Sequence, residues 1–547
     1  MGIFGSKKHI FFCIFFINVC CLYLLSYGQI IRNYQKTPEN LYYFGSDFHG
    51  LDATGDITLI RQGYEGHPFA FYNITTSIPE KPTIIKIEYI LLGRIARILS
   101  ISPENALLGA KLAISILWFL FLYFLIRRLF HTLHEQLFAM VTILWGSALM
   151  EKTSAFAYLE VSDIWTVSRL TLAMPHYLLG GLLSLISLTS LIHSFGNTKR
   201  VLLFYVALIT AGIASLVYAP SMVLVLASLP FYLVGELILS IRNKTVTSVF
   251  VQRCVASLLY VGVGCLPILY VRHIIATELQ EFNLAAVEKL ASFYRSPRQF
   301  IPSLGIPYLL SLFALPMIIK KKQTFFFALY AWVIVFPFSL YVLAPRLELN
   351  QVRFYLAPYF VVFGIVSTVG LQTILSYVRH TSVKRILIVL AFCAVIGTSA
   401  QSIYISWKRL DVCFCATNYS SFAYPDRDMI LGIQWLAEHT KDSDIVLSET
   451  YAGVFIPPFA GNRVYTSWWD QLSSTDLFWR QYYKIQSFFA GTVSDSMAKR
   501  FLASEDISYI FYGSVERAYN QEKEILDYST VVEVARFGMV KIYKVIK

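Results

Sequence analysis

The sequence predicts a polytopic α-helical membrane protein of about eleven transmembrane helices, followed by a small C-terminal α/β domain on the extracytoplasmic side. Three observations predict it. Of 547 residues, 56% are hydrophobic and only 15% charged, with a mean hydropathy of +0.57, whereas a water-facing surface needs a larger charged share. Clusters of Lys and Arg recur after every second apolar stretch, so all of them lie on one side together, as the positive-inside bias requires. After Trp407 the composition turns water-soluble, leaving about 140 residues, the size of one domain. The predicted boundaries are 1–406 for the transmembrane part, with an external loop at 31–104, and 407–547 for the outer domain.

In chain order the spans read 9–30, 105–126, 136–150, 173–194, 201–217, 219–240, 250–271, 303–319, 324–343, 354–377 and 386–404. Their basic punctuation is Lys7 and Lys8, Arg127 and Arg128, Lys199 and Arg200, Arg242 with Lys244 and Arg253, Lys320 to Lys322, and Arg379 with Lys384 and Arg385. This predicts a cytoplasmic N-terminus and an outer C-terminus. The first stretch lacks a small-x-small cleavage site after Leu25, so it reads as a signal-anchor. The charge of +12 sits in the short loops, where topology explains it and nucleic-acid binding is not needed. Six of the eight cysteines lie in apolar spans; Cys413 and Cys415 emerge outside but are badly spaced to bridge each other, so no disulfide or zinc framework is expected. Asn73-Ile74-Thr75 and Asn418-Tyr419-Ser420 are external glycosylation triplets that matter only in a eukaryotic secretory pathway.

Ile84 to Ile101 interleaves apolar residues with Lys86, Glu88, Arg94 and Arg97, too charged to span and typical of a helix lying on the interface. In the outer domain, periodicity predicts helices at Met429–His439, Leu477–Phe489 and Ser496–Ala503. Strands are expected at Asp444–Ser448 and Ile507–Tyr512, with a hairpin of Val531–Ala535 and Val540–Val545 around Phe537 and Gly538. No internal repeat marks the chain, so an inverted-repeat transporter lacks its best signature.

The densest polar stretch runs from Ser46 to Asp56 and holds Asp47, Asp52 and Asp56, with Arg61, Glu65 and His67 close behind. Three acids beside the bilayer and an Arg suit a general base, a metal site, or both. A solvated loop with Asx turns around Gly50 and Gly55 is the plainer alternative.

Asp52 through Gln62, with Ile60-Arg61-Gln62 and Gly66-His67, resembles the first external loop of bacterial membrane glycosyltransferases of the GT-C fold, the group that includes protein mannosyltransferases and the lipid A aminoarabinose transferase. Met174-Pro175-His176-Tyr177 and Arg353-Phe354 are similar to the same group. So are Trp435-Leu436, Ile456-Pro457, Gly461 to Tyr465 and Ile507 to Ile510 in the outer domain. Gly55 and Asp56 stand where that group carries aromatic residues, which leaves Asp52, Asp47 and Asp56 as alternatives for the essential acid. The resemblance implies a bacterial inner-membrane enzyme that moves a sugar from a polyprenyl phosphate to a glycan, lipid or protein acceptor at the outer face.

Such a reaction needs a carboxylate to take the acceptor's proton, within about 2.6 to 3.2 Å, and positive charge for the departing phosphate. Asp52 is the first choice of base and Asp47 the second; Asp163 and Glu160, on the next external loop, complete a metal site with Asp52 or orient the acceptor. Asp163 also fits a plain helix N-terminal acid. Three nearby Asp suit Mg or Mn without demanding it. Arg353, then Arg346, Arg295 and Arg298, are the candidate phosphate ligands, against simple snorkelling of Arg353. His176 is a further candidate for phosphate or metal, against a structural role. A transporter or flippase for a lipid-linked or polar substrate is the competing function, disfavoured because Lys111 and Glu236 are nearly the only ionisable groups within spans. A non-enzymatic envelope scaffold is the third.

Overall fold

The computed structural model describes residues 7–45, 50–71, 82–147, 171, 173–195, 200–242, 248–277, 296–321, 324–409, 422–468, 476–521 and 526–546. Asp47, Glu160, Asp163, Arg295, both cysteines of the outer pair and both glycosylation triplets lie outside them. The chain divides into two compact units.

The first unit comprises Met1–Gln29, Lys111–Val271 and Ala291–Arg409. The chain as a whole has eight described helices long and apolar enough to cross a membrane, and the bent pair Leu304–Leu312 and Leu315–Lys321, turned by 49°, makes a ninth if counted as one span. Helices also occupy the remaining two expected stretches, but Leu133–Leu144 and Val201–Val217 are shorter. A length near 20 residues is what a 30 Å hydrocarbon layer asks of a helix, so these two fall below the usual requirement. The chain is an integral membrane protein by these helices.

Burial sorts the spans. Tyr359–Tyr377 has 78% of its most apolar window buried, against 11% for Thr381–Ala400; the first is a central helix of its unit and the second presents most of its apolar surface to lipid. Inside this unit Glu236, from Ala219–Arg242, pairs with Arg253 of Ser248–Thr277. The pair answers the cost of placing an ionised group in an apolar surrounding.

The second unit comprises Ile30–Ala110, Arg272–Leu290 and Leu410–Lys547. Its sheet has the order β1-β2-β4-β3, with β1 at Ile445–Leu447, β2 at Ile507–Tyr512, β3 at Val531–Phe537 and β4 at Val540–Val545. β1 and β2 run parallel, as expected when the helices Asp476–Phe489 and Asp495–Ser504 intervene, and the last two strands form the expected hairpin. Gly538 turns that hairpin at φ +54°, a backbone angle that suits glycine. Ile485, Phe488, Phe489, Leu502, Ile510 and Tyr512 form the core between sheet and helices.

The same unit holds the crossing of Gly50–Glu65 with Ile87–Ile98. Gly63 and Gly93 allow it: a Cβ on Gly63 would stand 2.1 Å from the Ile90 carbonyl oxygen, and one on Gly93 would stand 1.9 Å from that of Ile60. Tyr89, Ile90, Gly93 and Ala96 are buried on one face of Ile87–Ile98, while Leu91, Ile95 and Ile98 are exposed. Spacings of four and three place those three on one stripe, the apolar face an interfacial helix turns to lipid.

Candidate active site

Asp52 and Asp56 of the acid-rich stretch lie in the N-terminal half of the Gly50–Glu65 helix, with Asp52 in its first turn. A carboxylate there is favoured by the unpaired N–H groups of a helix start. Asp56, one turn on, is 1% exposed. Its Oδ1 accepts from Lys86 Nζ at 2.7 Å and its Oδ2 from the Tyr89 hydroxyl at 2.7 Å. Burial alone pulls the Lys86 ammonium down, but the charge and hydrogen bond of Asp56 outweigh it and its pKa is raised. Asp52 adds to that field and is itself exposed. The two acids differ in burial: Asp56 is buried in the helix crossing, and Asp52 is exposed.

Lys86 adopts φ 58°, a left-handed conformation uncommon for a residue with a side chain. Beside it, both carboxyl oxygens of Glu88 are buried without a hydrogen-bond partner. Burial pushes Glu88 up to about 7.

Further along the helix, Arg61 donates from Nε to Glu65 Oε1 at 2.7 Å, and from its two Nη atoms to the carbonyls of Phe459 and Ala460 at 3.0 and 3.2 Å. Those carbonyls close the short Ile456–Ala460 helix, so a cation meets the negative end of a helix. Gln62 exchanges two hydrogen bonds with the backbone of Phe71, at 2.6 and 2.9 Å, and pins the turn that carries His67. Burial raises the Glu65 pKa against the pull of Arg61, and the Asp442 charge adds to the rise. The Ile60-Arg61-Gln62 and Ile456-Pro457 stretches thus meet in one framework. Asn462 completes it, donating from Nδ2 to Thr440 Oγ1 and to the Lys441 carbonyl at 2.9 and 2.7 Å.

In the first unit, two of the predicted phosphate ligands come together. Pro175 opens the Pro175–Ser194 helix at its first turn, where a missing N–H costs nothing. Trp118 Nε1 donates to the Leu178 carbonyl at 2.8 Å and fixes the entry of that helix. His176 is 9% exposed and its ring lies 4.0 Å from that of Tyr177. Arg353 Nη1 donates to the Tyr177 hydroxyl at 3.1 Å, and the Tyr218 hydroxyl donates to the Arg353 carbonyl. Arg353 stands on its own short helix, Val352–Tyr355, and the span proper starts at Tyr359. Asn350 Oδ1 accepts from the Val352 N–H at 3.1 Å and holds that turn. Arg346 and Arg298 are exposed and outside this group.

Lys86, Tyr89, Tyr177 and Tyr218 are not among the candidate site residues of the sequence, although Lys86 and Tyr177 stand in stretches named above. Lys86 is one of four charges interleaved in its stretch, with nothing to set it apart, and aromatic residues are too common in this chain to mark any one of them.

The fold is that of integral membrane proteins of the GT-C type. The chain is similar to the oligosaccharyltransferase of Archaeoglobus fulgidus in its apo form, with TM-score 0.55 and 12% identity over 93% of this chain and 70% of that one. It is similar to the oligosaccharyltransferase AglB of Archaeoglobus fulgidus in complex with an inhibitory peptide and a dolichol-phosphate, with TM-score 0.53 and 12% identity over 92% of this chain and 69% of that one. ArnT from Cupriavidus metallidurans in the apo state gives TM-score 0.50 and 10% identity over 98% of both chains. No protein-family model and no curated protein sequence matches the chain.

Proposed function

We propose that the chain is an inverting glycosyltransferase that moves a sugar from a polyprenyl-phosphate donor to an acceptor at the outer face of the membrane. The observation that carries this reading is the contrast within one helix: Asp56 is consumed by Lys86 and Tyr89, while Asp52 on the preceding turn is exposed. A GT-C fold supports it, since AglB, similar over 92% of this chain, binds a dolichol-phosphate.

In the proposed reaction the Asp52 carboxylate accepts the proton of the acceptor hydroxyl as its oxygen bonds to the anomeric carbon. The bond from that carbon to the phosphate oxygen breaks, and the polyprenyl phosphate leaves with the electron pair. Asp47 is the second choice of base. Arg353 supplies positive charge for the phosphate, oriented by Tyr177, with His176 beside them; Arg346, Arg295 and Arg298 rank behind it. A divalent ion fits an exposed Asp52 carboxylate, an oxygen ligand of the type Mg and Mn take. Asp52 with Asp163 would hold it, and it would supply further charge to the phosphate. Location in a bacterial inner membrane, with the 407–547 domain outside, belongs to the same proposal.

The test is Asp52→Asn in proteoliposomes supplied with a polyprenyl-phosphate sugar. Loss of a general base predicts a drop in transfer of about 10² to 10⁴-fold, with insertion and unfolding temperature unchanged. Full transfer by this variant overturns the assignment of Asp52.

A further inference from the structure

We propose that Glu65, His67 and Asp442 form a second metal site, of the zinc type, which clasps the first-loop helix to the C-terminal segment of the same unit. Each residue offers one ligand atom, and the three atoms lie within 4.8 Å of one another. An imidazole nitrogen with two carboxylate oxygens is a donor set for zinc and its neighbours; magnesium and calcium take oxygen ligands alone. With zinc bonds of about 2.0 to 2.2 Å, a tetrahedral site brings ligand atoms to about 3.3 Å apart, so closure asks any pair to approach by up to about 1.5 Å. His67 and Asp442 are exposed, and the His67 ring rests edge-on against Phe71.

The surroundings are shaped for a small occupant. Gly461 sits at φ +90°, and a Cβ there would come within 2.7 Å of Glu65 Oε1 and 3.3 Å of Asp442 Oδ1; any side chain would enter the space between the two carboxylates. Two like charges face that space. Arg61 offsets part of them and orients Glu65 through its 2.7 Å hydrogen bond, as outer hydrogen bonds orient metal-binding carboxylates. The turn carrying His67 is pinned by Gln62, and the one carrying Asp442 by the Lys441 N–H donating to Asp444 Oδ2 at 2.9 Å. Asp52 and Asp163, proposed above for Mg or Mn, play no part in it.

The experiment strips the purified full-length protein with a chelator and titrates it with Zn²⁺ in excess Mg²⁺, which saturates sites built of oxygen alone. Wild type is expected to take up about one equivalent more than His67→Ala or Asp442→Asn, and Zn²⁺ is expected to raise its unfolding temperature but not theirs. X-ray absorption of the zinc-loaded wild type is expected to show one imidazole nitrogen among oxygens. Equal uptake by wild type and both variants, or an oxygen-only zinc shell, overturns the proposal. None of the three readouts depends on sugar transfer.

Discussion

Two carboxylates one turn apart, Asp52 and Asp56, share a helix and have opposite fates. A buried ion pair broken on one side leaves an uncompensated charge, so Lys86→Met is expected to cost about 2 kcal/mol. That figure is reduced from the fully buried case because 32% of the Lys86 side chain reaches solvent. Chemical unfolding of the purified protein reads it. A second buried acid, Glu516, accepts from the backbone N–H groups of Glu449 and Gly513 at 2.7 and 2.9 Å, and burial pushes it up to about 7. Its folded value lies above the unfolded 4.5, so the folded state holds the proton more tightly. The stabilisation it gives is complete below that unfolded value and is lost as pH rises through about 7. Glu516→Gln is expected to flatten the fall in unfolding temperature between about pH 5 and pH 8.

At the scale of elements, the decisive contact is the crossing of Gly50–Glu65 with Ile87–Ile98. Gly93→Ala would put a methyl group against the Ile60 carbonyl, and overpacking of this kind costs about 1 to 3 kcal/mol. Because the displaced helix carries Asp52, transfer activity is expected to fall with stability, a pairing that calorimetry and the proteoliposome assay read together. The elements themselves were legible: period-3.6 and period-2 patterns located the helices 427–439 and 495–504 and all four strands to within a few residues. Their partners were not. Nothing local to Arg61 announces the carbonyl of Phe459, 398 positions away, and nothing local to Asp56 distinguishes it from Asp52. A sequence shows which side chains carry charge, but burial comes from segments far along the chain. Arg353 and His176 were named from resemblance, and the structure adds the tyrosine that joins them.

For the whole molecule, apolar stretches declare themselves by composition, and each of the eleven expected stretches contains a helix among its described residues. Two of these helices are short and one pair is bent, which composition alone does not show. The placing of basic clusters predicts the orientation: a periplasm-dependent reporter enzyme fused after Ile546 is expected to be active, and one fused after Lys322 silent. The reverse pattern overturns the outward placing of the C-terminal domain. The arginine clasp on Phe459 and Ala460 also has a bearing on biosynthesis. A ribosome adding about 5 to 20 residues each second needs on the order of 20 to 80 s to travel the 398 positions between donor and acceptor. For that interval the acid-rich helix is already made and its guanidinium has no carbonyl to grip. That contact therefore waits for the tail, and a ribosome stalled early releases a chain whose acid-rich helix is complete in sequence and lacks this hold.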